Sequence, residues 1–210
     1  MKYRFILIFI WLSLNNSFLN AQEHLEPVPG IFDLYEYQFE YYSNIRKVLF
    51  SGLTDSPKAR FFIKPSFEPE SVLDIEYDYK LDEYCMVYQV VSESIWDSEN
   101  KKSIKVKRFE KEISANTAEL IISLFSKAVS TTKKPIKDND GNDGTDFYFT
   151  VRDGHQISGK IWSPKKGSKM RELVEVSNEI IKIMTDEEKT VFNLNSRLTG
   201  QIINLKSLIQ

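Results

Sequence analysis

Leu73, Ile75, Tyr77 and Tyr79 alternate with Asp74, Glu76 and Asp78, a period of two that suits a half-buried β-strand and no helix. Five further stretches read as strands. Residues 60–64 are a short buried run stopped by Pro65, and Glu83–Val91 is apolar on both faces, as a central strand requires. Residues 103–109 set Ile104 and Val106 between lysines, the pattern of an edge strand guarded by charge. Residues 145–151 and His155–Trp162 flank Asp153-Gly154, and an Asp-Gly step tolerates the positive φ of a tight hairpin turn.

Elsewhere the spacing turns helical. Leu34, Tyr35, Gln38, Tyr41, Tyr42, Ile45, Val48 and Leu49 predict a helix capped by Asp33 and ending near Gly52. Tyr35, Tyr37, Phe39 and Tyr41 also alternate, so a strand competes for the same residues. Asn116 and Glu119 form a capping box for a helix to about Ser130, with Ile121, Leu124, Phe125 and Ala128 on its apolar face. Ser163-Pro164 marks the start of another, with Met170, Leu173, Val174, Ser177, Ile180, Ile181 and Met184 in register. Thr185 and Glu188 make a further capping box before Val191, Leu194, Leu198, Ile202, Leu205 and Ile209, where Gly200 weakens one continuous helix. Strand runs separated by helices, without regular βα alternation, predict an α+β fold. Its mostly antiparallel sheet of about five to six strands packs with N-terminal, middle and C-terminal helices.

The N-terminus reads as an export signal. Lys2 and Arg4 precede an apolar run from Phe5 to Leu14 broken by Ser13, and Ala21 offers a small residue for cleavage before Gln22. That run is about ten residues long, where a bilayer span takes about twenty. Residues 1–21 are expected as a signal peptide, 22–30 (with Pro27, Pro29 and Gly30) as a flexible leader, and 31–210 as a single α+β domain. No cysteine follows the apolar run to carry a lipid. The mature protein is expected in the periplasm or outside the cell, without an integral membrane segment.

Of the 28 Lys and Arg residues two fall in the signal, against 30 Asp and Glu, so the mature chain carries about −4. A mildly acidic balance gives no electrostatic reason for a nucleic-acid partner. Cys85 is the one cysteine. It can make no internal disulfide, and its apolar neighbours Tyr84, Met86 and Val87 predict a buried, inert thiol.

Three patches carry a resemblance. They are Arg60-Phe61-Phe62-Ile63-Lys64-Pro65-Ser66-Phe67-Glu68-Pro69-Glu70, Asp143-Gly144-Thr145-Asp146-Phe147-Tyr148-Phe149, and Gly159-Lys160-Ile161-Trp162-Ser163-Pro164. In order and spacing they resemble a family of exported bacterial proteins with P-S-F-x-P-E, D-G-T-x-F-x-F and W-S-P patches and no assigned activity. The resemblance spans roughly residues 45–184. It implies a fold and a compartment, and it transfers no catalytic residue.

The candidate sites are few. Phe67, Glu70 and Trp162 are the residues from which a binding groove would be built. Asp138, Asp140, Asn142, Asp143 and Asp146 crowd a glycine-containing turn, and calcium takes six to eight oxygen ligands of this kind. The EF-hand frame fails there: counted from Asp138, Asp143 stands where the glycine belongs and Phe149 where the bidentate Glu belongs. A solvated turn explains the same residues. No other cofactor is implied. His155 with Ser66, Ser158 or Ser163 and an acid such as Asp146 or Asp153 is the one triad available, and no G-x-S-x-G elbow supports it. Glu68 and Glu70 are a carboxylate pair whose sequence spacing says nothing of a cleft.

The function expected is an exported, non-enzymatic binding or interaction protein, inhibitor- or immunity-like in one version, acting on an unknown protein or envelope component. The alternative is a small cell-envelope hydrolase acting on glycan or peptide. Intact-mass measurement of protein recovered from periplasm or medium is expected to give a chain beginning at Gln22. A chain in that fraction still beginning at Met1 would remove the cleaved-signal reading.

Overall fold

The computed structural model describes residues 23–29, 38–134 and 143–210. Among them are eight strands: β1 (Glu26–Val28), β2 (Ala59–Pro65), β3 (Ser71–Asp78), β4 (Glu83–Val91), β5 (Val106–Ile113), β6 (Thr145–Asp153), β7 (His155–Trp162) and β8 (Val191–Phe192). They form one sheet in the order β1-β7-β6-β2-β3-β4-β5-β8. Every pairing is antiparallel except that of β8 with β5. Four helices accompany it: α1 (Phe39–Lys47), α2 (Ala115–Ser130), α3 (Lys169–Met184) and α4 (Ser196–Leu208). The α+β class and the mostly antiparallel sheet are as expected, with more strands than the five or six read from the sequence.

The two extra strands are short, and neither has a periodic pattern to announce it. β1 lies in what reads as a flexible leader. Leu25 beside it is fully buried, and Gly159 of β7 admits this segment, since a Cβ there would sit 2.9 Å from the Leu25 Cβ. Pro27 is tolerated because β1 is the edge of the sheet. β8 falls where helical spacing was expected from 186 onward. Thr185 ends α3 as its C-cap, and Phe192 is drawn into the core with no exposure. α4 starts later, with Asn195 accepting from Leu198 N at 2.8 Å. Gly200 stays within it on an exposed face.

Other boundaries shift for similar reasons. α2 is capped by Ser114, whose hydroxyl accepts from Thr117 N, two residues before the expected Asn116. α3 is capped by Ser168 rather than opened by Ser163-Pro164. Ser163 instead leaves the sheet at φ +37°, its hydroxyl accepting from Thr145 N. α1 ends at Lys47, short of Gly52, and the expected beginning of that helix (Asp33 to Tyr35) lies outside the described residues.

Two hydrophobic cores lie on opposite faces of the sheet. The larger joins Phe61, Leu73, Ile75, Met86, Phe147 and Phe149 to the apolar stripes of α2, α3 and α4. The smaller joins Phe62, Val72, Val91 and Tyr148 to Tyr41, Tyr42 and Ile45 of α1 and to Ile95 and Ile104 of the β4–β5 connection. Because neighbours in a strand point to opposite faces, β2 and β3 are buried on both sides. β3 is therefore not the half-buried strand its alternation predicts. Asp74, expected to face water, is fully buried and sits directly opposite Arg60. Arg60 clamps it with two hydrogen bonds, Nε to Oδ1 at 2.7 Å and Nη2 to Oδ2 at 2.6 Å. The guanidinium also lies 4.3 Å from the Phe50 ring centre. Among the described residues no helix is long and apolar enough to cross a membrane.

Burial outweighs the Arg60 pairing and pushes the Asp74 carboxyl up to about 6 from its ordinary 3.8. Between those values the folded protein holds a proton that the unfolded chain has released. The stability owed to this group is therefore fully present below about pH 4 and is lost as pH rises to about 6. Urea unfolding of the native protein and Asp74→Asn across this window is expected to show the native protein losing roughly 3 kcal/mol relative to the variant. Parallel pH profiles would contradict the linkage.

Candidate functional site

A cluster of polar and aromatic side chains lies on the smaller-core face, where α1 and the β4–β5 connection meet the sheet. Its centre is Glu70, immediately before β3, a carboxylate with no solvent exposure. An isolated buried carboxylate is costly, so each oxygen needs a donor. Tyr41 of α1 donates its hydroxyl to Glu70 Oε1 at 2.8 Å, and the Ile95 backbone N–H donates to Oε2 at 2.8 Å. One carboxylate thus ties a helix and a loop, distant in sequence, to the start of the same strand. Burial, then the nearby Glu70 charge, raises the Tyr41 phenol far above its ordinary value, so Tyr41 remains a donor.

Ile95 and Trp96 sit in a turn closed by Ser98 N–H to Ser94 O at 3.0 Å and by Asp97 N–H to Ser94 Oγ at 3.2 Å. This turn sets the Trp96 indole, 53% exposed, in a T-shaped contact with the Tyr41 ring, centroids 5.2 Å apart. Glu40, Tyr41 and Asn44 of α1 face Ile95, Trp96 and Lys101 across a recess of about 200 Å³. The Lys101 ammonium donates to Trp96 O at 3.2 Å and to Ser98 O.

The cluster continues inward along the sheet. Lys64 of β2 and Asp146 of β6 are directly opposite each other and form an ion pair at 3.2 Å. The Lys64 ammonium lies 5.9 Å from the Tyr41 ring centre and 5.6 Å from that of Tyr42. Burial works to lower its pKa, but Tyr42 and Asp146 outweigh that and raise it, so Lys64 stays a cation. Tyr148 stacks on Phe62 at 5.6 Å and is raised strongly by burial, then by the Asp146 charge. These groups hold one another in fixed charge states.

The residues singled out from sequence do not gather here as a set. Glu70 does, as an interior anchor rather than the wall of a groove. Phe67 is 73% exposed in the β2–β3 turn. Trp162 lies at the end of β7 opposite Asp146, packed against Gly144, where a Cβ would come within 2.6 Å of the indole Nε1. Phe67 and Trp162 therefore share one end of the sheet, with Ser66 joined to Gly144 by hydrogen bonds of 2.9 and 3.1 Å. Asp138, Asp140 and Asn142 lie outside the described residues. Asp143 is exposed, and Asp146 is engaged by Lys64. Among the described residues no group of three His, Cys, Asp or Glu side chains is placed to hold a metal.

Of the triad's elements, Asp153 lies opposite His155, and the candidate serines stand apart from that pair. His155 pairs with Asp153 at the hairpin tip, whereas Asp146 and Trp162 pair at its opposite end. Seven strand residues at about 3.3 Å each separate those ends by roughly 23 Å. Ser158 is buried with its hydroxyl 2.9 Å from Thr150 Oγ1, and Ser163 holds the Thr145 N–H. Glu68 is exposed in its turn while Glu70 is interior. Cys85, expected to be buried, is only partly so, and burial, then the nearby Glu76 charge, pushes its thiol up to about 11, leaving it protonated at neutral pH.

Tyr41, Asn44, Lys64 and Trp96 escaped the sequence reading of the site. Tyr41 had a signal, as a polar-tipped residue on a predicted apolar face. Trp96 had none, lying in a stretch without periodicity. Against known protein families, curated proteins and solved structures, the chain gives no match.

Removing either partner of the Tyr41–Glu70 bond leaves a buried polar group unpaired, at about 1–3 kcal/mol per group. Tyr41→Phe and Glu70→Gln are each expected to destabilise the fold by that order in urea unfolding. A double-mutant cycle should return a coupling of about 1 kcal/mol or more. Additive losses would mean that the bond does not join α1 to the sheet.

Proposed function

We propose that this protein is an exported, non-catalytic binding module, and that its contact surface includes the recess beside Trp96. The observation that carries the reading is the Glu70 anchor. A fully buried carboxylate fixes both walls of the recess through Tyr41 and the Ile95 N–H, and so holds a large exposed indole in one place. Rigid aromatic anchors surrounded by polar groups suit recognition, because little side-chain entropy is lost on binding. His155 has Asp153 opposite it but lies at the other end of the hairpin from Asp146, and Glu70 is interior with both oxygens engaged while Glu68 is exposed, which supports binding over acid–base chemistry. Export and a target in the cell envelope rest on the N-terminal pattern of the sequence.

Immobilised protein is expected to capture one stoichiometric component from its own envelope fraction or medium, and Trp96→Ala is expected to lose it. Running the capture with calcium and with chelator tests whether the 138–146 segment takes part. Turnover of an envelope glycan or peptide by the purified protein, abolished by a single substitution, would replace this reading with the hydrolase.

A further inference from the structure

We infer that the recess beside Trp96 is a subsite for one neutral pyranose ring of a glycan, an inference that rests on the binding-module reading and names its ligand class. Its capacity, about 200 Å³, suits a single ring rather than an extended peptide or a cofactor. The platform is an indole about half exposed, and its T-shaped contact with Tyr41 keeps it from folding down. An aromatic face carries negative charge density. The C–H groups on one face of a pyranose are weakly positive, so a sugar stacks there while its hydroxyls point outward to the rim.

The rim supplies what those hydroxyls need. Asn44 offers both a donor and an acceptor, Glu40 an acceptor, and Lys101 a donor. A hydroxyl is itself donor and acceptor, so each of the three can be satisfied. An apolar side chain from a protein partner would cover the same groups and leave them unpaired, at a cost that hydrophobic contact in so small a recess does not offset. Charge narrows the class further. Glu40 and Lys101 are of opposite sign, which leaves the rim with no net charge to select a uronate or a phosphosugar. Lys101 is already placed, since two of its three donors go to Trp96 O and Ser98 O.

The buried Glu70 fits this role. Stacking and hydrogen bonding to one sugar ring are weak, so affinity depends on how little must be ordered on binding. The Glu70 anchor orders both walls in advance. A single ring is expected to bind in the millimolar range, with tighter binding coming from repeated units of a polymer.

The test is NMR on protein with ¹⁵N-labelled tryptophan, produced from the full-length chain. The indole signals are assigned with Trp96→Phe and Trp162→Phe. The probes are a β-1,4-linked N-acetylglucosamine trisaccharide, cellotriose and maltotriose, with glucuronic acid as the charged control. At least one neutral trisaccharide is expected to move the Trp96 signal saturably while that of Trp162 stays still. Asn44→Ala should weaken this binding about fivefold, and Trp96→Ala should abolish it with the thermal midpoint unchanged. Movement of Trp162 alone, or a preference for glucuronic acid, overturns the subsite. Silence with all three neutral probes, alongside Trp96-dependent capture of an envelope component, overturns the sugar class and leaves the binding module standing. Silence together with no Trp96-dependent capture removes both.

Discussion

The sheet of this protein must be covered on both faces at its centre, and the remaining layers follow from that requirement. Phe61 and Phe62 are consecutive residues of β2 and neither reaches solvent. One turns toward α2, α3 and α4, the other toward α1 and the β4–β5 connection. A sheet with helices on one face only would leave the second phenylalanine, with Val72 and Tyr148, in water. Each buried aromatic of this size contributes on the order of 2–3 kcal/mol, so the second layer is a condition of stability rather than an addition to it.

That second layer is small, and it is held by polar as well as apolar contacts. α1 contributes Tyr41, Tyr42 and Ile45 to the core beneath it. Nine residues of helix are too few to be stable in isolation. Docking to Glu70 and packing on Phe62 supply what propensity does not. The same residues that secure the layer shape its outer surface, because Tyr41 bonds inward to Glu70 and meets Trp96 outward. Structure and candidate function share a residue here, which is why the double-mutant cycle on stability and the ligand titration examine different consequences of one arrangement.

The Arg60–Asp74 pair shows the same economy on the neighbouring strands. It replaces an apolar pair at a position covered by Phe50 and the 48–54 turn, where Arg60 also donates to Thr54 O at 3.0 Å. A buried pair of this kind gives little net stability compared with hydrophobic residues, and can fix register, since a slip of one residue would leave both charges unpaired. Lys64 opposite Asp146 repeats the device one strand over, between β2 and β6.

Most of the fold was legible in the sequence because period alone determines it. Glu83–Val91 has the limits its pattern gives, the hairpin turns at Gly154 with its positive φ, and the buried stripes of α2, α3 and α4 carry most of the residues their spacing marks, with Ile181 only partly buried and Val191 exposed on β8. Those features are local: a strand or helix face is written within a dozen residues. What the sequence left undecided depends on partners far along the chain. Alternation in β3 predicted water beside Asp74, and only the arrival of Arg60 and the 48–54 turn makes that position an interior one. β1 and β8 are too short to have a period and exist because an edge of the sheet was there to receive them. The candidate site is the extreme case. Tyr41, Glu70 and Ile95 are separated by 29 and 25 residues, and their meeting follows from a carboxylate that burial forces to find donors, a requirement no local pattern expresses.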